Sequence, residues 1–369
     1  MAYSTIDKPN SYFDTQLFTG TNTSGRTFTG LNFQPDMIWG KTRDSANYNH
    51  FIVDNVRGGT KFIATNTTAA EDTASHGQIT SWNSDGTTWS DGTNGTYPRL
   101  YYNDNGQLGG SGSRVWWQWK ANGAGSSNTS GSITSTVSAN TTSGFSIVSW
   151  TGTGANGTVG HGLSNTPSMI ITKARSSYGS DAWYVVHTSV WGNDGNGLVL
   201  NNSASLYNRV ADLGGTGITA WSSSTFTINQ GSATFLNNTS IPYIGYCWST
   251  IKGYSAFGKY TGNGSTDGPF IYTGFKPAFL LIKPSNGAYN WTIIDNKRNT
   301  YNVTTLGLIP NTTSADTTGS GSTYNMDLLS NGFKNRYSSN ELNGSLTYIY
   351  AAFAENPFTS SKGIPTTAR

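Results

Sequence analysis

One ladder of residues is written three times in this chain. Thr19-Gly20, Thr151-Gly152 and Thr261-Gly262 are each followed, fifteen residues after the glycine, by Pro35, Pro167 and Pro277. Six residues further on stand Lys41, Lys173 and Lys283. Two spacings shared in three places mark an internal repeat, and a repeat constrains the architecture before any single element is assigned. The register continues downstream. His50, Trp183 and Trp291 are followed four residues later by Asp54, His187 and Asp295. An Asn-led turn comes next at Asn66, Asn202 and Asn311, and a second turn at Ser84, Ser223 and Ser330. Each copy closes on an aromatic run: RVWWQWK, IPYIGYCW or LTYIYAAF. From the Thr-Gly to Trp119, Trp248 or Phe353 is roughly 90–100 residues, the size of a small β-sandwich.

Within a copy, short runs alternate with turn residues every eight to twelve positions, which predicts strands. In PDMIWGK, Met37, Trp39 and Lys41 share one face, with Ile38 and Gly40 on the other. PSMIITK and PAFLLIK are apolar on both faces, the pattern of a strand in the middle of a sheet. The proline suits the start of that strand, and the TG-x-G stretches suit turns with positive φ. Forty-five glycines and an aromatic share of 13% agree with an all-β chain rich in turns. The expected fold class is therefore all-β, a tandem of three β-sandwich modules of jelly-roll or lectin-like type.

The expected boundaries are a first module over 1–120, a second over 144–252, a third over 253–358 and a polar tail over 359–369. The stretch 121–143 is rich in Ser, Thr and Gly, which predicts a flexible linker. Its SITSTVSA phrase alternates, which predicts instead a strand exchanged onto a neighbouring module or subunit. Only seven residues, 249–255, separate the second and third copies, so those two should lie close together.

Charged residues make up only 11% of the chain and the net charge is +3. Lys and Arg are scattered, so there is no footprint for nucleic acid or an acidic membrane. No apolar run reaches the eighteen or so residues of a membrane span, and MAYSTIDKPN has neither the basic start nor the apolar core of a secretory leader. The single cysteine, Cys247, sits in an apolar run and reads as a buried small hydrophobe.

Little in the sequence points to catalysis, and the expectation is a protein that is not an enzyme. A glycosidase needs a carboxylate pair, yet the best candidates, Asp54 and Asp295, recur with the fold. Lys41, Lys173 and Lys283 fall on the aromatic face of their strands, and a buried lysine demands a partner. The expected partners are Asp54, His187 and Asp295, in a recurring structural pair. The four histidines form no HxH or HExxH pattern and the acids no calcium loop, so neither a metal nor a cofactor is expected. His161, in VGHGL, reads as a hydrogen-bonding turn residue. The segments after each lysine carry Tyr48 with Asn49, Tyr178 with Asp181, and Tyr289 with Asn290. Aromatic rings among Asn, Ser and Asp suit sugar faces and hydroxyls, which makes these six the expected glycan-facing residues. Trp39, Trp82, Trp183, Trp221 and Trp291 read as core.

The phrases GSITSTVSANTTSGFSIVSWTGTGANGTVGHGLSNTPSMIITK, YTGNGSTDGPFIYTGFKPAFLLIK, DLLSNGFKNR and YIYAAFAENPF resemble repeated modules in virion proteins of tailed bacteriophages of marine and freshwater bacteria, cyanobacteria included. MAYSTIDKPNSYF and SSKGIPTTAR resemble the ends of such proteins, so the likeness covers nearly the whole chain. Copy one departs most, with GLNFQPDMIWGK, His50 in place of Trp, and an insertion near Tyr101 to Gly112. The resemblance implies a structural, tail-fibre-like virion protein with lectin-like sandwiches and brings no catalytic residues. The expected function is a tail-fibre or tail-tip adhesin contacting host surface glycan. The alternative is a capsid decoration or head-fibre protein without host binding. Its partners would be other virion proteins and host polysaccharide, its location the tail or capsid exterior, and its assembly a homo-oligomer, by analogy a trimer. The threefold repeat can also mimic a trimer within one chain.

Overall fold

The computed structural model describes residues 4–176, 182–192, 194–233, 235–317, 323–363 and 365. Copy one contributes β1 (Phe13–Thr19), β2 (Arg26–Phe28), β3 (Met37–Thr42), β4 (Phe51–Asp54), β5 (Lys61–Ala64), β6 (Asp72–Thr73), β7 (Gln78–Asn83), β8 (Gly86–Ser90) and β9 (Ser113–Trp119). Copy two contributes β10 (Ser126–Asn128), β11 (Ser135–Asn140), β12 (Phe145–Thr151), β13 (Gly157–Gly160), β14 (Met169–Ala174) and β15 (Tyr184–Val186). A single helical turn, α1 (Thr188–Trp191), follows, then β16 (Leu198–Val199), β17 (Gly217–Trp221), β18 (Thr225–Asn229) and β19 (Pro242–Trp248). Copy three contributes β20 (Ser255–Thr261), β21 (Phe270–Tyr272), β22 (Phe275–Pro284), β23 (Thr292–Asp295), β24 (Met326–Leu329), β25 (Gly332–Asn335) and β26 (Thr347–Pro357).

Each copy is a sandwich of a large and a small antiparallel sheet. The large sheets run β1-β9-β3-β4-β5-β6, β10-β11-β12-β19-β14-β15-β16 and β20-β26-β22-β23. The small ones run β2-β8-β7, β13-β18-β17 and β21-β25-β24. The strand that carries the Thr-Gly pairs with the closing strand, and the next strand pairs with the one just before closing, so the same nested order occurs three times. The chain is all-β, in antiparallel sheets that pair as sandwiches, as its strand pattern predicts.

The stretch 121–143 adds strands to the module that follows it, as the alternation in SITSTVSA predicts, and is not a free linker. β11 pairs along its whole length with β12 of copy two, and β10 pairs outside it. Ile133 and Val137 are buried in the core of copy two. The alternation in SITSTVSA reflects this half-buried position. Just after β26, Ser361 meets the N-terminal segment, donating its N–H to Asp7 Oδ1 at 2.7 Å.

The glycine of each Thr-Gly is required by a close approach. A Cβ on Gly20, Gly152 or Gly262 would lie 1.9, 2.1 or 2.1 Å from the carbonyl oxygen of Asp104, Asn238 or Gly344. Positive φ belongs two residues later, at Asn22 (57°), Gly154 (74°) and Gly264 (65°). The side chains of Asn103, Asn237 and Asn343, all buried, close the turn by accepting the N–H of Thr21, Thr153 and Asn263. Pro35 and Pro167 precede their strands, whereas Pro277 lies inside β22 at a register shift.

β3, β14 and β22 are buried throughout because each serves two cores. Ile38, Ile170 and Leu280 face into their own sandwiches. Met37, Trp39, Met169, Ile171, Phe279 and Leu281 face a fourth core, to which all three copies contribute. There the closing aromatics meet: Trp119 lies 6.3 Å from Trp248 and 5.5 Å from Phe353, ring centre to ring centre. Such rings bury roughly 150–250 Å² each and dominate the energetics of any core they share. The central core leaves one apolar void of only about 10 Å³, lined from all three copies. The three large sheets therefore pack face to face about one pseudo-threefold axis.

Candidate functional site

The recurring polar residues fix the contacts between copies. Trp183 donates its indole N–H to the Ala64 carbonyl of copy one at 2.8 Å, and Trp291 donates to the Val199 carbonyl of copy two at 2.9 Å. His50 takes the equivalent place in copy one, facing the Ile309 carbonyl, but neither ring nitrogen reaches good hydrogen-bond geometry. Burial holds its pKa well below 6.5. The backbone N–H groups of His50, Trp183 and Trp291 go to Asn66, Asn201 and Asn311, so Asn201, not Asn202, is the repeat position in copy two.

The expected lysine–acid pairing does not form. Lys41 Nζ donates to the carbonyls of Thr42 (2.7 Å) and Ser45 (3.0 Å), and Lys283 Nζ to those of Pro284 (2.7 Å) and Gly287 (3.1 Å). Lys173 Nζ donates to Ala174 O and to Thr68 O of copy one. Lys41 and Lys283 tie down the turns that follow their own strands, and Lys173 reaches across to copy one. Desolvation lowers Lys41 to about 7 and Lys283 to about 8.

The carboxylates belong instead to arginines three residues on. Arg57 meets Asp54, and Arg298 meets Asp295, each at 2.6 Å and fully buried. Each pair is completed from the next copy: the Tyr246 hydroxyl donates to Asp54 at 2.8 Å and the Trp117 indole to Asp295 at 3.0 Å. A second acid, five residues after the turn asparagine, extends the network across the same interface. Glu71 meets Arg175 at 2.9 Å, and Asp316 meets both Arg43 and Arg298 at 2.7 Å. Between copies two and three the network is absent at the equivalent positions. There His187 bonds to the Tyr350 carbonyl at 3.1 Å, and Leu206 N–H to the Ser285 carbonyl at 2.7 Å. The motif that betrays these arginines is D-N-x-R, present in copies one and three and replaced by HTSV in copy two.

The expected glycan-facing residues divide. Tyr48 is buried, its hydroxyl donating to Asp104 and accepting the Leu108 N–H, so it holds the copy-one insertion and faces no solvent. Asn49 is exposed, with its Oδ1 taken by Asn66. In copy three, Tyr289 accepts from Asn340, and Asn290 is tied to Glu341 and Asn311. Tyr178 and Asp181 lie outside the described residues. Trp39, Trp183 and Trp291 are core, as expected, and Trp82 and Trp221 pack at the margins of their cores. Cys247 is buried and its thiol is pushed up to about 12. His161 is the turn residue expected: Nδ1 accepts the Leu163 N–H, so Nε2 carries the proton and donates to Ser222 O.

Among the surface cavities of the described residues are two lined by several charged or aromatic side chains. One, of about 260 Å³, lies where β1 meets copy three, and several of the charges around it are paired. Lys297 stands 3.7 Å from Asp14, Lys276 stands 3.3 Å from Glu355, and Asn296 donates to Glu355 at 2.7 Å. Burial raises the Asp14 pKa against the pull of Lys297. The other, of about 90 Å³, belongs to copy one. Phe51, His76, Leu100, Tyr101 and Arg114 line it, with Asn47 and Asn49 among its exposed residues. The loop between β8 and β9 supplies Leu100 and Tyr101 beside the segment that follows Lys41. Among the described residues no cluster of His, Cys, Asp or Glu could hold a metal, and no helix is long and apolar enough to cross a membrane.

No curated protein and no solved structure matches the chain. A family model described as a domain of unknown function (DUF7483) matches residues 8–357, from just before β1 to the end of β26. All three copies thus fall inside one family unit, and the chain belongs to this family.

Proposed function

We propose that the protein is an exterior virion component of a tailed bacteriophage, a tail-fibre or tail-tip adhesin that contacts host surface glycan through copy one. The observation that carries this reading is the copy-one pocket. It combines aromatic walls with exposed amides, the mixture that suits sugars, and it occupies the segment where the sequence places an aromatic–amide pair. In copy three the equivalent Tyr289 and Asn290 are engaged internally. The phage assignment itself rests on the resemblance of the repeat phrases.

The pseudo-threefold body favours a second reading, capsid decoration. Three near-equivalent faces about one axis match a threefold position on a symmetric shell. Its partners would then be other virion proteins alone. Gold-labelled antibody on intact particles separates the two: label at the tail tip or fibres supports the adhesin, and label spread over the head overturns it. Sedimentation of the purified chain tests whether it acts as a single pseudo-trimer or as a homotrimer of such bodies.

A further inference from the structure

We propose that the copy-one pocket receives the acetamido group of an N-acetylated amino sugar, an inference that rests on the glycan reading above and names the sugar class. Size is the first argument. At about 90 Å³, against roughly 30 Å³ for each water-sized group, the pocket holds three or four heavy atoms. That suits a substituent with one carbonyl, one nitrogen and one methyl; the ring that bears it stays at the mouth.

The polar lining suits a neutral amide with an N–H to give. Arg114 is almost fully buried and lines the pocket. Its Nη1 donates to Thr42 Oγ1 and to the Leu100 carbonyl, both at 2.9 Å, and its Nη2 donates to the Asp104 carbonyl at 3.0 Å. The Nε–H has no partner and is shut off from solvent, so the guanidinium is a fixed wall of the pocket and not a donor to a ligand. The Asp104 carboxylate, 3.7 Å from Nη2, balances the guanidinium charge. This wall therefore carries no net positive charge, which suits a neutral substituent better than a carboxylate. His76 supplies the hydrogen bond. Its Nδ1 lies 3.0 Å from the Tyr97 carbonyl, which can only accept, so Nδ1 carries the proton and Nε2 is left as an acceptor for an amide N–H. Phe51 and Tyr101, 4.8 Å apart, form an apolar wall for the methyl. Asn47 and Asn49 stand at the surface, where ring hydroxyls would lie.

The test is saturation-transfer and titration NMR on the full chain with N-acetylglucosamine, N-acetylgalactosamine, their parent hexoses and an unrelated set of bacterial polysaccharides. The expected result is strongest transfer to the acetyl methyl and binding of the acetylated sugars about tenfold tighter than their parents, the effect of one added hydrogen bond. Leu100→Trp, which fills the pocket but keeps the backbone carbonyl that Arg114 uses, should erase that preference. His76→Phe, which keeps the ring but not the acceptor, should reduce it several-fold. Near-UV circular dichroism verifies that both variants are folded. Equal binding of acetylated and parent sugars, or an unchanged preference in folded Leu100→Trp, overturns the acetamido inference and leaves the glycan reading standing. Failure of every sugar and polysaccharide to bind overturns both.

Discussion

Buried charge sets the chemistry of this molecule at the scale of single residues. Asp295 sits fully buried on Arg298, with the Trp117 indole as its third partner, and these bonds hold its pKa below the usual range although burial opposes them. Arg298→Met leaves that carboxylate without its cation and should cost about 3–5 kcal/mol in urea unfolding. Asp295→Leu combined with Arg298→Met should recover much of the loss, because the equivalent His187 position in copy two has no acid–arginine pair. Tyr48→Phe removes the hydroxyl that joins Asp104 to the Leu108 N–H and should cost about 1–3 kcal/mol, read by the same titration. The pH dependence follows from lysines as much as from histidines. Lys41 and Lys283 titrate near 7 and 8 in the folded chain against 10.5 when free. The unfolded chain thus holds more protons between about 7 and 10.5, and stability rises with pH across that window. His187, lowered to about 4, adds a rise between about 4 and 6.5. Buried tyrosines such as Tyr246, held above 10, reverse the trend beyond that point. The melting temperature should therefore increase from pH 6.5 to about 9; a decrease over that interval contradicts the account. The lysines' shared face was legible from strand parity. Their partners were not, because a long side chain turned back on its own carbonyls leaves no mark in the sequence. The arginines did leave one, the D-N-x-R that follows β4 and recurs at the end of β23.

At the scale of elements, the strand after each proline was the most legible part of the chain, since MIITK and FLLIK have no polar face to give to water. The cause of that pattern was not legible. A strand in the middle of one sandwich and a strand shared by two cores read alike, because periodicity reports burial and not what does the burying. The 121–143 stretch was legible only as two alternatives, linker or added strand, for a related reason. Small hydroxyl residues look like linker by composition, but here they cover the edge of β12, with Val137 and Ile133 inserted into copy two. Free edges invite pairing with other chains, and β10 and β11 cap this one. Thr136 lies mid-strand between two neighbours, opposite Ser127 and Ser149. Thr136→Pro removes a ladder donor whichever neighbour it serves. It should open 126–140 to limited proteolysis and cost about 1–3 kcal/mol, while a variant as protease-resistant as the parent protein would count against the strand assignment.

For the whole molecule, the repeat spacing revealed the three copies, and their arrangement about one axis emerged only from the fourth core. Isolated sandwiches of this size can be stable by themselves, but these would expose Trp39, Trp119, Met169, Ile171, Trp248, Phe279, Leu281 and Phe353, the residues that meet at the centre. Rings of that size left in water make a large apolar patch, a state that favours association over independent folding. The three copies should therefore gain and lose structure together, although their two kinds of interface differ. Copy one is joined to each neighbour through an ion network, and at the equivalent positions between copies two and three, all among the described residues, no ion pair stands. The most direct test is calorimetry of the full chain beside tryptophan fluorescence in urea. The shared core predicts one transition, coincident by both probes, with calorimetric and van't Hoff enthalpies equal. Separate transitions for individual copies, or a third copy expressed alone (253–358) with native near-UV circular dichroism as a monomer, would contradict it.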